Sequence, residues 1–223
     1  GDTSTATLTV GIDDKRPESD APDAAGQTTV NEKGLPHGSG EAADGNSGNN
    51  SDTSEAVSGT ITYSDGDAPA TITIDGKAVA VGATITGDFG TLKIDSITDG
   101  KINYTYTLTT NTSGDATTDS FKLSITDKDG DNATDDLVIK IVDDVPTARN
   151  DTDAVNNATN TATGDVITGA NTTSGAAGAD TKGADGATVS KLVGFGGSTD
   201  SNAADDLTVQ GEYGTLVMKA DGT

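Results

Sequence analysis

Three aspartates alternate along the short stretch DKDGD at residues 127–131, where Asp127, Asp129 and Asp131 are separated by single residues. This spacing places alternate carboxylates on one side of a turn, and Gly130 lets the chain bend sharply there. Calcium takes about six to eight oxygen ligands from carboxylates, amide carbonyls and the backbone, so the loop is a candidate calcium site. The loop contains no Cys or His, which makes it a poor fit for zinc or copper.

Further oxygen ligands lie in two linkers that share the pattern of paired aspartates followed by a proline. Asp is also common in turns simply because it caps them and stays solvated, and for the SDGD loop at 64–67 this plainer interpretation is preferred. The recurrence of the paired aspartates favours calcium for the linkers. Their candidate ligands are Asp13 and Asp14 in DDKRP, and Asp143, Asp144, Asn150 and Asp151 in DDVPTARNDTD.

The apolar residues between these motifs alternate with a period of two, which indicates strands with one buried and one solvated face. Turn sequences such as DG at 75–76 and 99–100 separate them, and no window keeps a helical stripe. About seven short strands predict an all-β fold, an antiparallel β-sandwich of the immunoglobulin or cadherin type. The alternating residues include Ile61 and Tyr63; Leu92 and Ile94; Ile102, Tyr104, Tyr106 and Leu108; Phe121, Leu123 and Ile125; and Leu137, Ile139 and Ile141.

The sequence contains an internal repeat. GDTSTATLTVGIDDKRP at 1–17 aligns with GDNATDDLVIKIVDDVP at 130–146, and GDFGTLKI at 87–94 aligns with GEYGTLVM at 211–218. We therefore expect sandwich repeats in tandem. Residues 1–14 would be the last strand of a preceding repeat, 15–146 a complete repeat, and 147–223 part of a following one.

The predicted sandwich places the two groups of ligands at its two ends. In an immunoglobulin-type domain, the loop between the last two strands lies at the end of the sandwich where the chain enters the domain. Asp127, Asp129 and Asp131 should therefore face Asp13 and Asp14. The pair at 143–144 should lie with Asn150 and Asp151 over the next repeat, so we expect two separate calcium sites, one at each junction.

The amino-acid composition limits the binding partners that the chain could have. The chain of 223 residues carries 36 acidic and 13 basic residues, a formal charge of −23, which repels nucleic acid and anionic membrane surfaces. It contains no cysteine, so disulfides cannot stabilise it. Neither a signal peptide nor an apolar run of membrane-spanning length is present, and we expect the sequence to be part of a longer chain.

Several motifs follow one another in a recognisable order: VNEKGLP at 30–36, GDFGTLKI, YTYTL at 104–108, DSFKLSITDKDGD at 119–131 and IVDDVPTA at 141–148. Their order resembles the long repeats of giant type I secreted adhesins of the RTX class, and the resemblance covers residues 20–148. Residues 149–223 resemble a related repeat through GDVITGA at 164–170, AGADTKGADGATV at 177–189 and GEYGTL.

This resemblance implies calcium-bound β-sandwich extenders, secreted to the bacterial cell surface and strung between a membrane-anchored end and a ligand-binding end. The N-terminal linker departs from the pattern, because DDKRP places Lys15 and Arg16 near the first cluster, where we expect them to weaken the site. The family's nonapeptide repeats, GGxGxDxUx, are absent, so the segment is expected to be stalk. Acidic ligands are implied at Glu32, Asp127, Asp129, Asp131, Asp143 and Asp144.

The predicted function is therefore a calcium-stabilised structural extender whose partners are neighbouring repeats, with any host or biofilm ligand bound by other domains. The alternative is a carbohydrate- or surface-binding module that uses the 36–55 loop or the flat Thr-rich strand faces. We do not expect an enzyme: His37 is the sole histidine and lies in a loop-rich segment, and the chain has no Cys or Trp.

Overall fold

The computed structural model describes residues 1–35, 52–114, 116–202 and 204–223. His37 and most of the 36–55 loop, which the binding-module alternative used, lie outside the described residues. The chain divides into two compact units, which are taken separately below. The first comprises Gly1–Thr29, Val57–Tyr106 and Thr118–Lys140, and the second comprises Val30–Ala56, Thr107–Thr117 and Ile141–Thr223.

The prediction of an all-β fold with antiparallel sheets is confirmed. Two five-stranded sheets account for most of the regular structure between residues 18 and 142. In spatial order, the first sheet contains β1 (Glu18–Asp20), β3 (Ala56–Ser64), β8 (Lys101–Leu108), β7 (Gly90–Thr98) and β6 (Thr84–Thr86). The second contains β2 (Thr29–Asn31), β10 (Asn132–Val142), β9 (Thr118–Thr126), β4 (Thr71–Ile74) and β5 (Lys77–Ala78).

The predicted alternation is visible in the burial of the strands. In β8 and β9 every second residue is buried, so each strand turns one face inward. Tyr106 of β8 and Phe121 of β9 meet edge to face with ring centroids 5.9 Å apart, and this contact joins the inner faces of the two sheets. The other fully buried large side chains include Ile61, Leu92, Ile94, Ile102, Tyr104, Leu123 and Ile125.

Two local features differ from the sequence-based expectation. A four-residue helix, α1 (Ala25–Thr28), precedes β2, and it is too short to leave a helical stripe in the sequence. Residues 1–17 contain no strand, and their apolar Leu8, Val10 and Ile12 are exposed. A strand needs a neighbour for its backbone hydrogen bonds, so the assignment of residues 1–14 to a preceding repeat stays a prediction.

The second unit has its own small core and two short hairpins. The hairpin strands are β11 (Leu192–Val193) with β12 (Thr199–Asp200), and β13 (Leu207–Gln210) with β14 (Thr215–Met218). Ile167, Ala184, Leu207 and Val209 are buried. No helix among the described residues is long and apolar enough to cross a membrane.

The β13–β14 hairpin repeats the β6–β7 hairpin in detail. Ile85 pairs with Leu92 in the earlier hairpin, and Val209 pairs with Leu216 at the aligned positions of the later one. Both turns close with the same hydrogen bond between glycines, Gly87 N to Gly90 O at 2.9 Å and Gly211 N to Gly214 O at 2.7 Å. The aligned sequences therefore form the same local structure in the same register.

Candidate metal centre

The DKDGD loop closes the hairpin between β9 and β10. Thr126 pairs with Asn132 at the ends of the two strands, and the Asp127 N–H donates to the Asp131 carbonyl at 3.0 Å across the loop. Gly130 has a φ of 106°, a value that side-chain-bearing residues rarely adopt. The turn therefore has the bend that the sequence predicted, and it brings the loop carboxylates together.

Asp127 is the buried member of the loop, with only 6% of its surface exposed. Its Oδ1 accepts hydrogen bonds from the backbone N–H groups of Gly130, at 3.1 Å, and Asp131, at 2.8 Å. Its Oδ2 is buried and has no hydrogen-bond partner. A buried carboxylate oxygen without a partner is costly, and a bound cation is one of the groups that could satisfy it.

Five carboxylates gather at this loop in two overlapping groups. Within each group the carboxylate oxygens lie within 4.8 Å of one another, and Asp129 belongs to both. Oxygens at these separations could hold a metal ion. The two groups are Asp127, Asp129 and Asp131, and Asp14, Asp67 and Asp129.

The electrostatics of the cluster reflect this crowding of like charges. The pKa of Asp14 is raised, first by a hydrogen bond with Asp131, then by partial desolvation, and further by the negative charges of Asp129 and Asp131. Each effect favours the protonated, neutral form of Asp14. A divalent cation would act in the opposite direction, because it stabilises the ionised carboxylates around it.

Two strand pairings assemble the cluster from distant parts of the sequence. Antiparallel pairing of β1 with β3 sets Glu18 opposite Ser64, which brings the linker that carries Asp14 to the SDGD loop. Pairing of β4 with β9 sets Thr71 opposite Thr126, which brings the other end of the SDGD loop to Asp127. The Lys128 N–H then donates to the Asp67 carbonyl at 3.2 Å.

Gly66 allows the close approach of these three segments. A Cβ at this position would lie 2.6 Å from the Lys15 carbonyl oxygen and 2.8 Å from Asp127 Oδ2. The φ of Gly66 is also positive, at 64°. The SDGD loop, for which the sequence favours an ordinary solvated turn, is thus packed against the linker and the buried carboxylate.

Asp67 is the cluster residue that the sequence-based prediction missed. Its SDGD motif is rich in aspartate, which was the available signal, but a single short turn of this kind has a simple explanation as a solvated turn. Asp13, in contrast, is exposed and belongs to neither group of oxygens within 4.8 Å of one another. Its assignment as a ligand stays a prediction.

Arg16 lies at the cluster, on the linker where the DDKRP sequence places it. Its Nε is 3.2 Å from Asp131 Oδ2, an ion pair between a guanidinium that is 78% exposed and a carboxylate that is 32% exposed. The same Oδ2 is buried and lacks a hydrogen bond, so the contact is electrostatic. Arg16 would compete with a metal ion for this oxygen.

The other predicted ligands lie in the second unit. Glu32 is fully buried at the end of β2, and Asp143 and Asp144 follow β10 in partly exposed positions. Asn150 is exposed, and the Asp151 carboxylate accepts a hydrogen bond from Ser174 Oγ at 2.8 Å. These assignments stay predictions.

Comparisons with known proteins add no relatives: no family model and no curated protein sequence matches this chain. What the described residues offer is a cluster of hard oxygen ligands at the DKDGD loop, with one buried oxygen in need of a partner. Such a cluster suits an ion of the calcium type, which accepts carboxylate ligands in flexible geometry.

Proposed function

We propose that this chain is a calcium-stabilised structural extender from the stalk of a secreted bacterial surface adhesin. The observation that carries the proposal is the loop cluster. Asp127, Asp129 and Asp131 form one group of close carboxylates, Asp14, Asp67 and Asp129 form another, and Asp127 Oδ2 is buried without a hydrogen-bond partner. Carboxylates crowded in this way repel one another, and a bound cation would neutralise them. Calcium is the common extracellular cation that binds such oxygen sets, at about 10⁻⁴–10⁻³ M in extracellular modules.

An immunoglobulin-like sandwich repeated in tandem is the architecture that we infer for the extender. Two antiparallel sheets whose inner faces meet through Tyr106 and Phe121 support the sandwich. The identical register of the β6–β7 and β13–β14 hairpins supports the repeat. Each repeat would then have other repeats of the same chain as its partners, as the motif resemblance implies for secreted adhesins.

The alternative function, a ligand-binding module, has the Thr-rich outer face of the first sheet as its candidate surface. On this face Thr60 Oγ1 donates to Asn103 Oδ1 at 2.7 Å, and Thr105 Oγ1 donates to Asp95 Oδ2 at 2.6 Å. These polar groups already form hydrogen bonds with one another, so fewer of them are available to bind a ligand. This favours the extender function over the binding module. A glycan array and an ice-affinity assay on residues 15–146 would detect the alternative.

The extender proposal is tested by thermal unfolding of the full chain in chelator and in about 10 mM calcium. A calcium concentration about a hundredfold above the dissociation constant adds ~2.7 kcal/mol, which corresponds to a rise in Tm of about 5–10 °C. Asp129→Asn combined with Asp131→Asn should remove most of the rise. Asp136→Asn, an exposed aspartate outside the cluster, serves as the control, and an equal Tm in chelator and calcium would refute the proposal.

A further inference from the structure

The turn of the β6–β7 hairpin binds a carboxylate through its backbone. The N–H groups of Asp88, Phe89 and Gly90 donate to the side chain of Asp119 at 3.1, 3.1 and 3.2 Å. Asp119 is 2% exposed and also accepts the Tyr106 hydroxyl at 2.9 Å. Successive backbone N–H groups that converge on one carboxylate form an anion-binding concavity of the kind called a nest.

The turn of the β13–β14 hairpin, at residues 211–214, is built in the same way. Its sequence GEYG aligns with GDFG at 87–90, and the two hairpins share their strand register and their closing hydrogen bond between glycines. Glu212, Tyr213 and Gly214 are exposed, and in the described part of the chain their N–H groups donate to no acceptor. The later turn therefore offers three donors at the positions that bind Asp119 in the earlier one.

The glycine that opens each turn is a second, independent indication of a carboxylate site. A Cβ at Gly87 would lie 2.5 Å from Asp119 Oδ1 and would also collide with Oδ2, so the bound carboxylate requires glycine there. Glycine recurs at the aligned position 211, although neither glycine has a positive φ that would require it. The nearest atom to a Cβ at Gly211 is the Gly214 carbonyl oxygen, at 3.1 Å. Gly211 thus leaves room beside the turn for a carboxylate.

The apolar face of the later hairpin is also less covered than that of the earlier one. Leu92 is 0% exposed, whereas Leu216 at the aligned position is 46% exposed. In the earlier hairpin the carboxylate comes from strand β9, where Asp119 and Phe121 are both buried and lie on the same face. A strand that brought an aspartate to the 211–214 turn would therefore bring apolar surface with it.

We propose that the 211–214 turn is a binding site for the carboxylate of an extended strand in which an aspartate stands two residues before a large apolar residue, as in β9. The carboxylate would accept the three free N–H groups of the turn and lie over Gly211, and the apolar residues of the strand would cover Leu216. Such a strand belongs to another repeat, because Asp119 of this chain is buried in its own unit. The proposal rests on the proposed function only in taking this partner from a repeat of the same kind, and it is independent of calcium.

The experiment follows the backbone amides of the full, isotopically labelled chain by heteronuclear NMR in chelator while an unlabelled synthetic peptide of residues 101–126 is added. This peptide spans β8 and β9 and contains both Tyr106 and Asp119. The amide signals of residues 212–214 should shift to lower field, because an N–H that donates to a carboxylate is deshielded. The same peptide with Asp119→Asn should bind more weakly by about tenfold or more, since it loses the charge-assisted hydrogen bonds.

Two variants of the full chain test the geometry of the site. Gly211→Ala fills the space beside the turn with a methyl group, and we expect it to abolish the shifts caused by the peptide. Glu212→Gln is the matched control, because it removes an exposed charge from the same turn and keeps all three N–H groups, so it should bind the peptide at least as tightly as wild type does. If Gly211→Ala disrupts the hairpin itself, the Asp119→Asn peptide still decides, since it leaves the chain unchanged.

Absence of any shift at residues 212–214 at millimolar peptide would overturn the proposal, and so would equal binding by the wild-type and Asp119→Asn peptides. Sodium acetate at the same concentration is a further comparison: shifts as large as those from the peptide would assign the turn to small carboxylates and overturn the strand as its occupant. The outcome is separable from that for calcium, because the peptide titration is done in chelator and the Tm measurement requires no peptide.

Discussion

Asp131 could be neutralised by either of two positive groups, Arg16 or a calcium ion bound at the loop cluster. Arg16 already contributes one positive charge there, since its Nε lies 3.2 Å from Asp131 Oδ2. A calcium ion would contribute two and would also reach Asp127 and Asp129. The side chain of Arg16 is 78% exposed, so its ion pair is weak and can be displaced. At a loop calcium site, the linker arginine would therefore weaken binding without removing a ligand.

Replacement of Arg16 by glutamine should tighten calcium binding at the loop cluster. An exposed ion pair is worth about 0–1 kcal/mol, so removal of the competition should lower the dissociation constant about two- to fivefold. The measurement is calorimetric titration of Arg16→Gln against wild type. Lys93→Gln is the control, because Lys93 pairs with Asp95 at 3.1 Å, outside the cluster. Weaker binding by Arg16→Gln would contradict the competition.

At the scale of elements, one buried carboxylate holds the turn of the β6–β7 hairpin. Asp119 of β9 is 2% exposed and accepts the backbone N–H groups of Asp88, Phe89 and Gly90 at 3.1, 3.1 and 3.2 Å. It also accepts the Tyr106 hydroxyl at 2.9 Å. Glu32 and Asp127 each have one buried oxygen without a hydrogen bond, whereas both oxygens of Asp119 accept hydrogen bonds from the protein. Asp119 therefore ties one sheet to a turn of the other.

Asp119→Ala should be strongly destabilising, by about 3 kcal/mol or more, because it leaves several backbone donors without their acceptor. Denaturant unfolding in the presence of calcium measures the loss. Asp88→Ala is the matched control, since Asp88 stands in the same turn with an exposed side chain. Similar midpoints for the two variants would show that the turn does not depend on Asp119.

Gly66→Ala should damage the packing of the SDGD loop. A Cβ would lie 2.6 Å from the Lys15 carbonyl oxygen, so the loop or the linker would have to shift. Gly76→Ala provides a close control, because Gly76 has a similar φ of 72° but open space around the Cβ position. We expect Gly66→Ala to cost roughly 1–3 kcal/mol more than Gly76→Ala, measured by denaturant unfolding. It should also weaken calcium binding. Equal unfolding free energies would mean that the contact is unimportant.

The elements also explain which parts of the cluster the sequence could predict. Period-two alternation identifies β8, β9 and β10, and the D-x-D-G-D spacing identifies the loop residues, because both patterns are local. Asp67 depends on the pairing of β4 with β9, where Thr71 lies opposite Thr126. Such pairing between segments distant in sequence is set by the whole fold.

At the scale of the whole molecule, a formal charge of −23 opposes compaction. Any salt screens such repulsion, so stabilisation by calcium has to be separated from general screening. A bound ion would also neutralise the buried Asp127 Oδ2, whereas screening acts mainly on exposed charges.

Sodium chloride should therefore fail to reproduce the effect of calcium. About 30 mM sodium chloride has the ionic strength of ~10 mM calcium chloride and screens exposed charges to the same extent. We expect the full chain in chelator to gain little in Tm from the sodium salt, while calcium gives the full rise. Magnesium chloride at the same concentration is an informative third sample, since Mg²⁺ loses its waters reluctantly and should stabilise less. Equal Tm values in all three salts would indicate screening alone.

The last prediction concerns stiffness along a chain of repeats. Asp143 and Asp144 begin a linker in which Pro146 limits backbone freedom without abolishing it. In the absence of a cation the carboxylates near this linker repel one another, and the linker should bend; a cation held by them should fix its direction. Small-angle scattering on two tandem copies of residues 15–151 measures this, with and without chelator.

Wild type should have a larger maximum dimension with a narrower spread in calcium than in chelator. Asp143→Ala with Asp144→Ala should behave in both conditions like the chelated wild type. Asp23→Ala with Asp136→Ala removes the same charge from exposed positions away from the linker, and it should respond to calcium as wild type does. If the maximum dimension and its spread are the same in every sample, calcium does not brace the linker, and its carboxylates serve as charges for solubility.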